Sequence, residues 1–531
     1  MTVYQSAPSL DALATKYGQS DESAKLTFLE TIDPAVLIDN ATAEDPAVRR
    51  ASWRLIGNLM ADSDAVRSLF LDHNLLDALV TAFPSSDDTL APILLGNIVN
   101  LLLGDVVVNL PAQLVAHVFA CSPSERRDFT VQVLIEADAV CSENLEPFLA
   151  TLASAPAYYD SLEARDHALS LFASMLTKSE PLTVSTLQLL TRLLQKVAES
   201  ETSTVGQLGD ALVETAVAPG LAEIPAEIVS AWGDLIATDF PLPFSIISLI
   251  GNSIHSETDA TAAIANNLHR KILLSYNRVP LLSKDHYAHL VASTLRNICI
   301  PPMNKSVCAA AGGFDFACSL LNSPSSVLQF DGIALLRVLV SNCYENAIMC
   351  SRNPDVKVLI HTFETQSNTS IKYEIARVMY ALLRTLAKVP DDPSLSFAIE
   401  TWPDFGRVLQ LTITQDTYPK LRSESITTLA FIAAHSTLND WTTKFLDSFP
   451  DVCQVLTTAT GPDQDNVLVI ASLLKTADYD ALTDSTNQDL HALYDHYVQT
   501  LRSRQQPVTQ PHAQLEPGLK SELASEPDSI A

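Results

Sequence analysis

The chain has 531 residues, with 62 acidic side chains against 33 basic ones and a formal charge of −29. That sign disfavours nucleic acid and anionic membrane surfaces as general partners and makes a basic protein the natural complement, although excess acid also keeps a long hydrophobic array soluble. Hydrophobic residues make up 47% and glycine only 15 positions, which suits long helices and leaves few tight turns for a many-stranded sheet, so an all-α protein is expected.

In chain order, residues 1–40 read as an N-terminal helical cap with a partly disordered start. The first clear repeat is 45–83: a nearly all-round apolar helix over 47–60 around Trp53, Ile56 and Leu59, a break at 61–64, and an amphipathic partner over 69–83. Gly57-Asn58 recurs as Gly96-Asn97 and again as Gly251-Asn252. The small residue lets neighbouring helices approach, and the asparagine then braces the adjacent repeat. The stretch 93–110 is apolar enough to test for membrane insertion, but Asn97, Asn100, Asp105 and Asn109 would each be costly in hydrocarbon, so it reads as a buried helix.

Between 111 and 277 the helical pattern loosens, with helices at 166–176 and 183–197 and loops at 199–204 and 219–225. The second half is more regular, with apolar helices at 289–300, 327–343, 371–387 and 421–434. Two helix-like blocks, 294–305 and 327–342, carry equivalent Leu295-Arg296 and Leu336-Arg337 pairs about 41 residues apart, and Arg384 holds a similar place in the next. That spacing marks an α-helical repeat, which offers a long surface rather than a buried cleft. Helices apolar nearly all round must be buried on several sides, as the third, central helix of an armadillo repeat is. The expected architecture is therefore an armadillo-repeat, right-handed superhelical solenoid over 41–505, irregular within 111–277, followed by a disordered Pro-, Gln- and Glu-rich tail at 506–531.

Signatures of chemistry are sparse. The eight cysteines (Cys121, Cys141, Cys299, Cys308, Cys318, Cys343, Cys350 and Cys453) contain no Cys-x-x-Cys pair and read as reduced core residues. His286 and His289 stand one helical turn apart without a carboxylate motif, which points to core or surface histidines rather than a metal site. No Walker A, dinucleotide turn or Gly-x-Ser-x-Gly elbow occurs, so neither an active site nor a cofactor is expected. The first 20 residues lack a basic start followed by an apolar core, which makes the cytoplasm the expected compartment.

Four segments, TLRNICIPPMNK at 294–305, LQFDGIALLRVLVSN at 328–342, YEIARVMYALLRTLA at 373–387 and RSESITTLAFIAA at 422–434, resemble in order and spacing the smgGDS family of armadillo-repeat GDP dissociation stimulators. ASWRLIGNLMADSD at 51–64 is similar to the family's early repeats, while 111–277 matches only as helical repeat. The resemblance implies a monomer that binds Rho-, Rap- and Ras-type small GTPases, promotes loss of their nucleotide, and chaperones their polybasic, prenylated tails. Exchange would come from binding and not from chemical catalysis. The resemblance assigns Asn297, Asn304 and Lys305 to a repeat-loop motif and Gln329, Arg337, Tyr373, Glu374 and Arg377 to the GTPase-binding face. Asp331, Glu345, Glu374 and Glu424 are the candidates for its acidic groove.

Bracing of adjacent repeats is the competing role for Asn297 and Arg337. An adaptor of the importin-α type would use Trp-x-x-x-Asn pairs, and none of Trp53, Trp232, Trp402 and Trp441 has asparagine four residues on. The alternative is an armadillo adaptor or structural scaffold without exchange activity.

Overall fold

The computed structural model describes residues 6–103, 110–120, 145–154, 162–176, 183–195, 202–217, 224–238, 240–280, 284–389, 392–402 and 404–476, with isolated positions at 106, 108, 130 and between 492 and 499. Among the described residues every regular element is helical. Among the described residues no helix is long and apolar enough to cross a membrane, and the one in the 93–110 stretch covers only Ala91–Leu102. The tail expected at 506–531, Cys121 and Cys141, and most of the loop expected at 219–225 lie outside the described residues.

The chain divides into two compact units, Met1–Leu382 and Leu383–Ala531. In the first, helices recur in the order short, short, long. Glu22–Leu29 and Pro34–Ala41 precede Pro46–Met60, and Asp64–Asp72 and Leu75–Ala82 precede Ala91–Leu102. Further on, Glu257–Ala265 and Leu268–Arg278 precede Lys284–Ile298, Pro302–Cys308 and Phe314–Leu321 precede Ser326–Val340, and Tyr344–Arg352 and Pro354–Thr365 precede Thr369–Leu386. In the second unit, Pro393–Thr401 and Phe405–Thr414 precede Pro419–Ala433, and Asn439–Ser448 and Pro450–Thr457 precede Pro462–Thr476.

The local code for these boundaries is an acceptor side chain followed by proline. Asp33-Pro34, Asp45-Pro46, Asn353-Pro354 and Asp392-Pro393 each place an N-cap that accepts a backbone N–H one or two residues past the proline. Proline fits the first helical position because its missing N–H has no intrahelical partner there. At the other end, Asp62 and Asn342 follow the long helices Pro46–Met60 and Ser326–Val340 with φ of 55° and 56°, turning the chain into the next short helix. Asn74 does the same at φ 62° and splits the expected 69–83 helix into Asp64–Asp72 and Leu75–Ala82.

Other boundaries also differ from the sequence reading. The block 294–305 is not one helix, because Pro301-Pro302 ends Lys284–Ile298 and starts Pro302–Cys308. Residues 202–204 belong to the Thr202–Val217 helix rather than to a loop, and 199–201 lie outside the described residues. The long helices begin before the expected apolar runs because their first turns are polar, as in Lys284-Asp285 and Pro419-Lys420.

Long helices pack on long helices. In the first unit Ala7–Tyr17 lies against Pro46–Met60, which lies against Ala91–Leu102. Later, Leu162–Leu176, Thr202–Val217, Pro243–Asn252, Lys284–Ile298 and Ser326–Val340 follow one another in the same way. Trp53, Trp232, Tyr287, Phe70, Phe148, Phe172 and Phe314 are fully buried in the first unit, among the largest side chains in a core held by removal of apolar surface from water. The second unit packs Pro419–Ala433 on Pro462–Thr476 and runs Phe405, Trp441, Phe445 and Phe449 as successive ring contacts. Cys299, Cys308, Cys318, Cys343, Cys350 and Cys453 are free and buried.

Candidate functional site

Several polar side chains on the long helices of the first unit tie one helix to its predecessor. Asn58 Nδ2 donates to Ala14 O at 2.8 Å, Asn100 Nδ2 to Gly57 O at 2.9 Å, and Asn297 Nδ2 to Gly251 O at 3.1 Å. Each bond spans 43 to 46 residues, one repeat. Asn97 adds bonds to Trp53 O and Ile93 O. At two of the three Gly-Asn pairs the glycine has a steric reason as well, whereas a Cβ on Gly96 would meet nothing within 4 Å. A Cβ on Gly57 would meet the Asn97 amide at 3.2 Å, and one on Gly251 would meet Thr294 Oγ1 at 2.8 Å. The glycine admits the next helix, and a side-chain amide then holds it.

The motif residues Asn304 and Lys305 are buried. Asn304 Nδ2 donates to Ile298 O at 2.7 Å and Ala260 O at 3.0 Å. The ordinary helical partner of Ile298 O would be the N–H of residue 302, and Pro302 has none. Lys305 Nζ donates to Ser341 O at 2.6 Å, the carbonyl that closes the Ser326–Val340 helix, and burial pushes its ammonium below the usual lysine range. Lys25 makes the corresponding bond to Ala61 O at the end of Pro46–Met60, with its pKa pushed down for the same reason. Nothing in the sequence reading singled out Lys25. The signal was there in its spacing to the left-handed residue, since each lysine bonds the carbonyl just before Asp62 or Asn342.

The acidic candidates do not gather into one uncompensated cluster. Asp331 is buried and bonded to His289 Nδ1 at 2.7 Å; burial raises its pKa and His289 opposes that rise. Glu374 is buried between Arg337, which donates to it, and Arg377 at 3.7 Å. Glu345 is exposed, two residues from the Cys343 thiol that it accepts from. Glu424 is half-buried in the second unit. Gln329 donates to Ser323 O and accepts from Gln366, and Tyr373 is half-buried on Thr369–Leu386 beside Glu374. Thus Asp331, Gln329, Arg337, Tyr373, Glu374 and Arg377 come together around two successive long helices, with Asn297 and the Asn304-Lys305 pair one helix earlier.

Among the described residues, hollows open along the first unit. One, of about 390 Å³, lies between Pro46–Met60 and Ala91–Leu102 and is lined by Trp53, Asn58, Asn97 and Asn100 among others. Another, of about 710 Å³, joins Thr202–Val217 to Pro243–Asn252 and is lined by Val213, Leu242 and Phe244 with Asp210, Glu214 and His286. The rings of His286 and His289 have separate neighbours, Phe244 and Asp331. Among the described residues no group of three or more His, Cys, Asp or Glu side chains is placed to hold a metal ion.

The chain matches no known family model. Among solved structures it is similar to an engineered protein determined by crystallography for a structural-genomics consortium, at 17% identity and a TM-score of 0.37 over 88% of this chain and 95% of that one.

Proposed function

We propose that the helical triplets are armadillo repeats and that the protein binds small GTPases of the Rho, Rap or Ras type, stimulating GDP release and chaperoning their basic, prenylated tails. The observation that carries this reading is the placement of the four smgGDS-like segments. Three fall on a long helix and the residues that end it, the first runs from Lys284–Ile298 into the short helix Pro302–Cys308, and together they bring Gln329, Arg337, Tyr373, Glu374 and Arg377 to adjacent long helices. The net charge of −29 would steer a polybasic tail from a distance. Exchange needs no catalytic group, since a scaffold that prefers the nucleotide-free GTPase must weaken nucleotide binding by the same factor. The cytoplasm is the compartment this activity requires.

A second reading, a scaffold without exchange activity, draws on the internal bonding of Asn304, Lys305, Asp331 and Glu374. The test is release of fluorescently labelled GDP from a panel of Rho, Rac, Ras and Rap proteins. Acceleration by this protein supports exchange. Capture of prenylated GTPases with no acceleration supports the scaffold, and neither effect discards the assignment.

A further inference from the structure

We propose that the joint between Lys284–Ile298 and Ser326–Val340 is a pH-sensitive latch, in which protonation of His289 tightens its hold on Asp331 as the pH falls from about 8 to about 6.5. The next joint along the chain, closed by Arg337 and Glu374, is indifferent over that range. The latch stands on these pairings alone and does not depend on the GTPase assignment.

His289, Asp331 and Glu374 are each the sixth residue of successive long helices, Lys284–Ile298, Ser326–Val340 and Thr369–Leu386. At both joints a buried carboxylate reaches back to a base on the helix before it. The Asp331 carboxylate is 3% exposed and meets His289 Nδ1 at 2.7 Å, and the Glu374 carboxylate is 6% exposed and accepts from Arg337. The carboxylates match, and the bases do not. A guanidinium stays charged throughout the pH range of the fold, whereas an imidazole gains and loses its charge between about pH 5 and 8. The His289 ring is 46% exposed, so a proton reaches it from solvent while Nδ1 keeps its bond to Asp331. Gln329 and Arg337 share a helix with Asp331, so the latch sets how firmly that stretch of the candidate face is held.

The other charges nearby are engaged elsewhere or solvated. On the elements packed against Ser326–Val340, Lys305 donates to Ser341 O, Glu345 accepts from the Cys343 thiol, Arg377 faces Glu374, and Asp315 and Arg352 are exposed. On those packed against Lys284–Ile298, Pro243–Asn252 is uncharged, Asp259 caps its own helix, Lys271 pairs with Asp234, Arg278 donates to Ala237 O, and Glu257 and Arg270 are exposed. The buried His269 lies beside Arg270. On the His289 helix itself, His286 lies against Phe244, Lys284 lies over the Tyr276 ring, and Asp285 is exposed. Burial raises the Asp331 pKa, with His289 and, more weakly, Arg296 opposing the rise, so the ionised carboxylate is held at a cost to the fold. Protonated His289 offsets that cost with a charge-assisted bond, and neutral His289 offers only a neutral donor. The imidazole gives up its proton as pH rises through the histidine range, so the joint is tightest on the acid side of neutrality and loosest above it.

The experiment is hydrogen exchange read by mass spectrometry on the full chain at pH 6.5 and pH 8.0, with each rate corrected for intrinsic exchange. Peptides covering 284–298 and 326–336 should be about threefold or more better protected at pH 6.5. Peptides covering 371–381, at the Arg337–Glu374 joint, should change by less than about 1.5-fold. His289→Gln keeps a neutral donor without a titrating charge, and should flatten the first response to less than about 1.5-fold. Groups common to parent and variant, His269 among them, cancel in that comparison. Should the variant fold poorly, the contrast between the two joints of the unaltered protein decides alone. No response at the first joint, an equal response at both joints, or a response that survives in His289→Gln would each overturn the proposal.

Discussion

Asn304 tests whether the most family-like motif of this chain holds the fold or holds a partner. Replacing it with alanine removes two donors at once, from Ile298 O at 2.7 Å and Ala260 O at 3.0 Å. Ala260 O lies within a helix, so the loss there is that of one neutral bond, about 0.5–1.5 kcal/mol. Ile298 O has no such substitute because residue 302 is proline, and a buried acceptor left without a partner costs about 1–3 kcal/mol. The sum is about 1.5–4.5 kcal/mol. Asn304→Asp should be worse than alanine, since it sets a carboxylate against two carbonyl oxygens. Urea denaturation followed by circular dichroism should show both midpoints lowered with an unchanged slope, and hydrogen exchange should show protection lost around residues 299–308. A midpoint within about 0.5 kcal/mol of the parent, together with lost GTPase capture, would refute the reasoning.

Three other outcomes follow from the same geometry. Gly251→Ala should destabilise by about 1–3 kcal/mol because its Cβ would stand 2.8 Å from Thr294 Oγ1, and adding Thr294→Ala should recover most of the loss; thermal melts of the single and double variants check this. Glu374→Ala should cost about 1.5–3 kcal/mol, since Arg337 and Arg377 are 30% and 27% exposed and keep part of their hydration, whereas Glu374→Leu with Arg337→Met should cost less, as chemical denaturation of the three chains would show. His269 is buried with neither ring nitrogen partnered, and burial, aided by Arg270, holds its pKa below the usual value. The unfolded chain therefore takes up a proton first, near 6.5, so stability present at neutral pH is lost as pH falls from there toward the depressed folded value. Urea midpoints at pH 7.5 and 5.5 should differ more for the parent than for His269→Phe.

Much of the helical content was legible because apolar residues at helical spacing are dense wherever two long helices meet. The run around Trp53, Ile56 and Leu59 foretold Pro46–Met60 within one residue. Boundaries were less legible, since they are written in short local signals that hydrophobic periodicity does not weigh. Asn74 in a left-handed turn and Pro301-Pro302 each divide what reads as one apolar run. The Asp-Pro and Asn-Pro pairs that open Pro34–Ala41, Pro46–Met60, Pro354–Thr365 and Pro393–Thr401 were present and could have been used.

The candidate site was less legible for a different reason. In a repeat protein, a polar residue on a long helix has a neighbouring repeat as its first partner, and sequence shows the residue without the neighbour. Lys25 and Lys305 show how to separate the two roles. They lie in different repeats and different local sequences, ESAKLTFL and PMNKSVC, yet each reaches 36 residues forward to the last carbonyl of the next long helix. A contact made at both ends of the unit with the same geometry follows from the repeat and not from a particular partner.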